Sequence, residues 1–139
     1  MAIAETQART VTLTEIRKYI KHHAKTKRPV MIWGPPGIGK SDVVEQVCYS
    51  YKNSLLIDVR LPLWEPTDIK GIPYYAANDN TMKWAPPTEL PSEELAAQYD
   101  VIFLFLDELN GGAPAVQAAA YQLILNRKVG TYTLPDNVV

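Results

Sequence analysis

Apolar residues recur along the chain in two patterns. Leu13, Ile16, Tyr19 and Ile20 follow Thr12 at helical spacing, and Glu15 stands three residues after Thr12 as in a capping box. A helix is predicted from Thr12 to about Lys25. Val43, Val44, Val47, Cys48 and Tyr51 form a second stripe at steps of three and four, with Asn53 as its stop. A third helix is predicted from a cap at Gly112 or Ala113, through Pro114 in its first turn, to about Leu125. Ser92, followed by Glu93 and Glu94, caps a short helix ending near Tyr99. Short apolar segments at residues 29–33, 54–61 and 101–106 read as buried strands.

Strands separated by helices predict an α/β domain with a parallel sheet and right-handed crossovers. The proline-rich residues 62–91 form a long connection of the kind that usually carries function. Within it, Tyr74 and Tyr75 on one side and Met82 and Trp84 on the other flank Asn78-Asp79-Asn80, which predicts a small hairpin. Residues 128–133 alternate weakly, Pro135-Asp136-Asn137 is a turn, and Val138-Val139 reads as the start of another strand. Residues 1–11 have no period and are expected to be a flexible arm ahead of one domain over 12–139.

Composition narrows the function classes. At 139 residues the chain has room for one core, and 47% hydrophobic against 21% charged residues excludes intrinsic disorder for most of it. Fourteen Lys and Arg against fifteen Asp and Glu leave a net charge of -1, so no global field favours nucleic acid or an anionic membrane. Cys48 is the single cysteine, which excludes an internal disulfide or a cysteine-rich zinc site and fits a reducing compartment. No apolar run approaches the roughly 20 residues of a membrane span, and the start of the chain lacks the pattern of a secretory signal. A cytoplasmic protein is expected.

The chemistry is concentrated in two motifs. Gly34-Pro35-Pro36-Gly37-Ile38-Gly39-Lys40-Ser41 matches the Walker A pattern between a predicted strand and a predicted helix. Its glycines let the backbone curl so that N–H groups point at a phosphate, and the following helix adds its positive dipole end. Lys40 supplies charge to the β- and γ-phosphates, and the Ser41 hydroxyl is placed to ligate magnesium. The strand at 101–106 ends in Asp107-Glu108, a Walker B arrangement at the carboxyl end of a strand, where α/β sheets bind ligands. Asp107 is expected to hold the magnesium, and Glu108 to polarise the water that attacks the γ-phosphate.

These motifs, together with Leu106-Asp107-Glu108-Leu109-Asn110, Pro114-Ala115-Val116-Gln117 and Glu65-Pro66-Thr67-Asp68-Ile69-Lys70-Gly71, resemble the AAA+ ATPases of the MoxR and dynein-related branch over about residues 28–139. The insert at 74–91, the Glu108-Leu109-Asn110-Gly111-Gly112 turn and the Ala118-Ala119-Ala120-Tyr121 helix together are most similar to phage and prophage members. The resemblance implies a P-loop NTPase fold, a three-layer αβα core with a parallel sheet, binding Mg-ATP and assembling as a hexameric ring that remodels proteins or nucleoprotein complexes. It also implies that residues 74–91 are a projecting insert and 127–134 the hairpin before the sensor-1 strand. Sensor 1, the arginine finger and the helical lid with sensor 2 follow later in that branch. The resemblance therefore implies a core incomplete at its C-terminus, with weak or absent turnover as an isolated chain. Many relatives have arginine after the asparagine, whereas Gly111 and Gly112 stand here, so no intersubunit role is carried over to that place.

Other features have ordinary readings beside functional ones. Arg17, Lys18, Lys21, Lys25, Lys27 and Arg28, with His22 and His23, make the first helix and its exit basic, as expected of a solvated face. Trp64, Tyr74, Tyr75 and Trp84 serve either local packing or stacking on a partner. Glu65 and Asp68 read as a surface turn, Cys48 as core, and Arg127 as a hairpin contact rather than a trans-acting arginine. A nucleotide-gated interaction module without significant turnover is the alternative to an ATPase. A small phosphotransferase kinase, which shares the phosphate loop, lacks a recognisable lid here.

Overall fold

The computed structural model describes residues 10–35 and 37–139. Most of the expected arm, residues 1–9, and Pro36 of the phosphate-loop motif lie outside them. Helix α1 (Leu13–Thr26) begins at the predicted capping box: Glu15 N–H donates to Thr12 Oγ1, and Thr12 N–H donates to Glu15 Oε2. Helix α2 (Lys40–Tyr49) buries Val43, Val44, Val47 and Cys48. It ends before Asn53 because hydroxyls take its last carbonyls, Ser50 Oγ donating to Val47 O and Ser54 Oγ to Cys48 O.

Strands β1 (Ser54–Arg60) and β4 (Val101–Asp107) pair in parallel, from Ser54 opposite Val101 to Arg60 opposite Asp107. Between them run a 3-10 turn (Leu61–Leu63), helix α3 (Pro66–Lys70), the antiparallel hairpin β2 (Ile72–Ala76) and β3 (Thr81–Ala85), and helix α4 (Glu93–Ala96). After β4 come a 3-10 turn (Leu109–Gly111), helix α5 (Pro114–Asn126) and the short strands β5 (Lys128–Val129) and β6 (Tyr132–Thr133). The long connection thus holds the predicted hairpin and also a short helix at Pro66–Lys70.

Alternation along β4 divides the core into two clusters. Ile102 packs with α5 residues Val116 and Leu123 and with Val129 and Val138, whereas Phe103 faces Ile20, Val43 and Val47 of α1 and α2. The result is an αβα arrangement around a parallel sheet. The chain end is held beside β4 by long-range side-chain bonds. Arg127 Nη2 donates to Pro135 O and Val138 O, and Asn137 Nδ2 donates to Ala96 O and Tyr99 O. Val138 bridges Ile102 in parallel, as predicted for the start of a strand.

One expected strand is not formed. Residues 29–33 have no helix or strand, and Val30, Met31 and Trp33 are exposed, Trp33 at 73%. A strand needs a neighbour for its backbone groups. The far edge of β4 is paired only with residues 137–139, and no ladder reaches 29–33 among the described residues.

Candidate functional site

The loop entering α2 owes its shape to its glycines. Gly37 (φ 80) and Gly39 (φ 89) occupy the left-handed region that side chains resist. A Cβ on Gly37 would meet nothing within 4 Å, so the loop is open at that point. Gly39 caps α2 without a side chain, which leaves the first-turn N–H groups, at the positive end of the helix dipole, without a side-chain acceptor. Lys40 opens the helix, and its Nζ donates to Gly34 O at 2.8 Å, folding the ammonium back over the loop. Ser41 follows in the same turn and is exposed.

Strand β4 delivers Asp107 to the same region. Glu108 then takes a left-handed conformation (φ 53, ψ 45), rare for a side-chain-bearing residue, and its N–H donates to Asp107 Oδ1 at 2.9 Å. This reversal leaves the Glu108 side of the turn exposed. Gly34, Gly37, Gly39, Lys40 and Ser41 line one cleft of about 830 Å3, together with Asp107 and Glu108, a size typical of small-molecule sites. Pro35 and Ile38 do not line it; Ile38 instead packs against Gly34, where an added Cβ would lie 2.5 Å from Ile38 Cδ1.

Two neighbours of these residues escape a reading of motifs. Arg60 stands opposite Asp107 in the register, and Asp58, two residues earlier, shares its face of the sheet. Burial raises the Asp58 carboxyl above its ordinary 3.8, the negative charge of Asp107 adds to the rise, and Arg60 opposes it. Period-two spacing puts Asp58 and Arg60 on one face, but only the strand register brings them beside Asp107. Neither lines the cleft, whereas Asn110, the last residue of the Leu106–Asn110 motif, does, and its carbonyl accepts from Gln117 Nε2 at 3.2 Å.

The remaining candidates are placed elsewhere or act structurally. Glu65 and Asp68 form a capping box for α3, and neither lines the cleft. Cys48 is core at 1% exposure. Trp64 is packed in the core, whereas Tyr74, Tyr75 and Trp84 are exposed on the hairpin. Gly111 accommodates Pro62, whose Cγ would lie 2.8 Å from a Cβ at that position. Among the described residues no three His, Cys, Asp or Glu side chains converge as a metal site, and no helix is long and apolar enough to cross a membrane.

Comparison with known proteins gives this arrangement a family. Residues 29–135 match the AAA domain of the dynein-related subfamily. The chain is also similar to the replication factor C large subunit of Ignicoccus hospitalis, 27% identical over 123 residues, which covers 88% of this chain and 23% of that protein. The matched region of the chain thus corresponds to less than a quarter of that relative's length. The glycine loop, the helix that it caps and the acidic end of β4 all fall within the matched residues, and the chain belongs to the dynein-related AAA domain family of AAA+ ATPases.

Proposed function

We propose that the chain is a MoxR-like remodelling ATPase core that binds Mg-ATP in the cleft between the glycine loop and the end of β4. The observation that carries this reading is the shared cleft: a helix N-terminus without a side-chain cap, Lys40 and Ser41 in its first turn, and Asp107 with Glu108 line the same space. Open space at Gly37 and the side-chain-free cap at Gly39 suit a phosphate, which needs close backbone approach. In this reading Gly34, Pro35, Pro36, Gly37, Ile38 and Gly39 form the phosphate loop. Lys40 exchanges the Gly34 carbonyl for phosphate oxygens.

Magnesium fits Ser41 and Asp107, since this ion typically takes one or two protein oxygens and completes its shell with phosphate and water. Bound there, it would neutralise charge developing on the phosphates. Asp107 must release its bond from Glu108 N–H or share that oxygen. Glu108 is the group that orients and polarises the attacking water. Turnover by this chain in isolation is weak, and a homo-oligomeric ring, a hexamer, acting on a protein or nucleoprotein substrate is the complete active form.

Titration with a fluorescent ATP analogue and magnesium tests the reading. Saturable binding lost in Lys40→Ala, with an unchanged circular dichroism spectrum, supports it, and equal affinity of the two proteins rules it out. The exposed aromatic residues of the β2–β3 hairpin favour a second reading, a nucleotide-gated interaction module. Glu108→Gln separates the two: an ATPase loses its steady-state rate, whereas an interaction module has no rate to lose and keeps its nucleotide affinity.

A further inference from the structure

The small net charge of the chain conceals a separation of its charges. Residues 13–28, helix α1 and its exit, hold six of the fourteen Lys and Arg and one of the fifteen Asp and Glu, whereas residues 84–126 hold six acidic residues and no cation. α1 packs with α2 on one side of the sheet, and α4 and α5 join the cluster on the other side. At about 100° per residue, Arg17, Lys18, Lys21 and Lys25 fall in one stripe along α1, opposite Ile16, Ile20 and Ala24, which pack inward. All four cations are exposed, and at 1.5 Å per residue the stripe spans about 12 Å.

The stripe is not explained by the stability of the helix. Arg17, Lys21 and Lys25 stand four residues apart, so like charges repel along it. The helix dipole favours cations in the last turn, which accounts for Lys25 but not for Arg17, Lys18 or Lys21. Among the described residues no ion pair offsets the repulsion: Glu15 is taken up by the capping box, and the pair that does form, Lys83 with Asp79, is on the hairpin. Asp100 and Asp136 border a hollow with Lys25 and form no pair with it.

We propose that the α1 stripe docks the phosphate backbone of duplex DNA. Its chemistry selects that partner. A protein partner or a membrane surface needs apolar contacts at its centre, and the apolar face of α1 is already buried against α2. Single strands are held by aromatic side chains on which bases stack, and the stripe has none. Its four side chains are donors only, which suits phosphate oxygens and gives a ribose 2′-hydroxyl no acceptor. Lysine and arginine contacts of this kind position a duplex without reading its sequence. None of the four residues lines the nucleotide cleft, so this binding does not depend on the nucleotide reading above.

Fluorescence anisotropy of a short labelled DNA duplex tests the proposal on three proteins: the chain itself, Lys18→Gln/Lys21→Gln/Lys25→Gln, and Lys70→Gln/Lys83→Gln/Lys128→Gln, which loses the same charge from other elements. Glutamine matches lysine in helix propensity, and amide exchange at Ile20 reports that α1 is folded. With four phosphate contacts the logarithmic salt slope is expected to be about −3.6, so that affinity falls about a hundredfold between roughly 50 and 200 mM salt. The stripe variant is expected to bind about tenfold more weakly or worse at the lower salt, with a slope shallower by about three, while the other variant keeps the slope of the parent. Lys21→Gln alone is expected to reduce the slope by about one, a change that loss of fold does not imitate.

Equal slopes in the two triple variants overturn the stripe, as does failure of the parent to bind the duplex at the lower salt. Equal or tighter binding to a single strand or an RNA duplex of the same length, or to phosphatidylserine vesicles, overturns duplex DNA as the partner. So does a mass in light scattering that rises with protein concentration without DNA and falls in the stripe variant, which assigns the stripe to a second copy.

Discussion

Two residues at the end of the sheet carry energetic signatures of their placement. The folded state raises the Asp58 pKa, so the carboxyl binds its proton more tightly when folded than when unfolded. Its contribution to stability is therefore most favourable below the ordinary carboxylate range and declines as pH rises through the raised value. Asp58→Asn is expected to raise the melting temperature at pH 7 and to change it little near pH 3, measured without nucleotide or metal. Equal effects at both values would remove burial and Asp107 as the cause. Glu108 holds a left-handed backbone, which costs a side-chain-bearing residue about 1 kcal/mol or more. Asparagine tolerates that region better. Glu108→Asn is expected to match or exceed the parent in denaturant stability while lacking turnover, so that stability and activity change in opposite directions.

Among the elements, the local caps and turns were legible in the sequence, as were the two strands that found a partner, β1 and β4, whereas the segment without one was misread. The Thr12–Glu15 box, the Ser92 cap and the turn at Asn78-Asp79-Asn80 act within a few residues, and each stands where the pattern predicts it. Thr12→Ala is expected to cost about 1 kcal/mol in equilibrium unfolding. Residues 29–33 carry a strand's composition and form none, because the edge that they would pair with is not beside them. Likewise the motifs named Lys40, Ser41, Asp107 and Glu108, which line one cleft, whereas Arg60 and Asp58 come beside Asp107 only through the β1–β4 register. At the hairpin base, Gly71 has φ 85, and a Cβ there would collide with the Ala85 carbonyl. Gly71→Ala is expected to leave amide exchange in α2 unchanged but to lower the protection of β2 and β3 several-fold, since clash and strain act at that junction.

For the molecule as a whole, the α/β class follows from the order of periods, but the division of the core into two clusters follows from alternation on a single strand. Ile102, at 0% exposure, joins α5, β1 and the chain end. Ile102→Ala is expected to cost about 2–5 kcal/mol, a large share of the stability of a domain this size, and to melt both clusters in one transition. The β2–β3 hairpin stands apart from that core: nine of its ten strand residues are exposed, and its two ends meet where Gly71 approaches Ala85. The hairpin is thus an excursion inside the loop that joins β1 to β4. Loop-closure entropy changes only logarithmically with length, by about 0.6 kcal/mol per doubling. Excising the excursion at its base, or grafting a different one there, leaves the cost of bringing β1 to β4 nearly unchanged. Sequence in this arm is therefore free to diverge at a rate set by whatever it touches, while the sheet beneath it stays fixed.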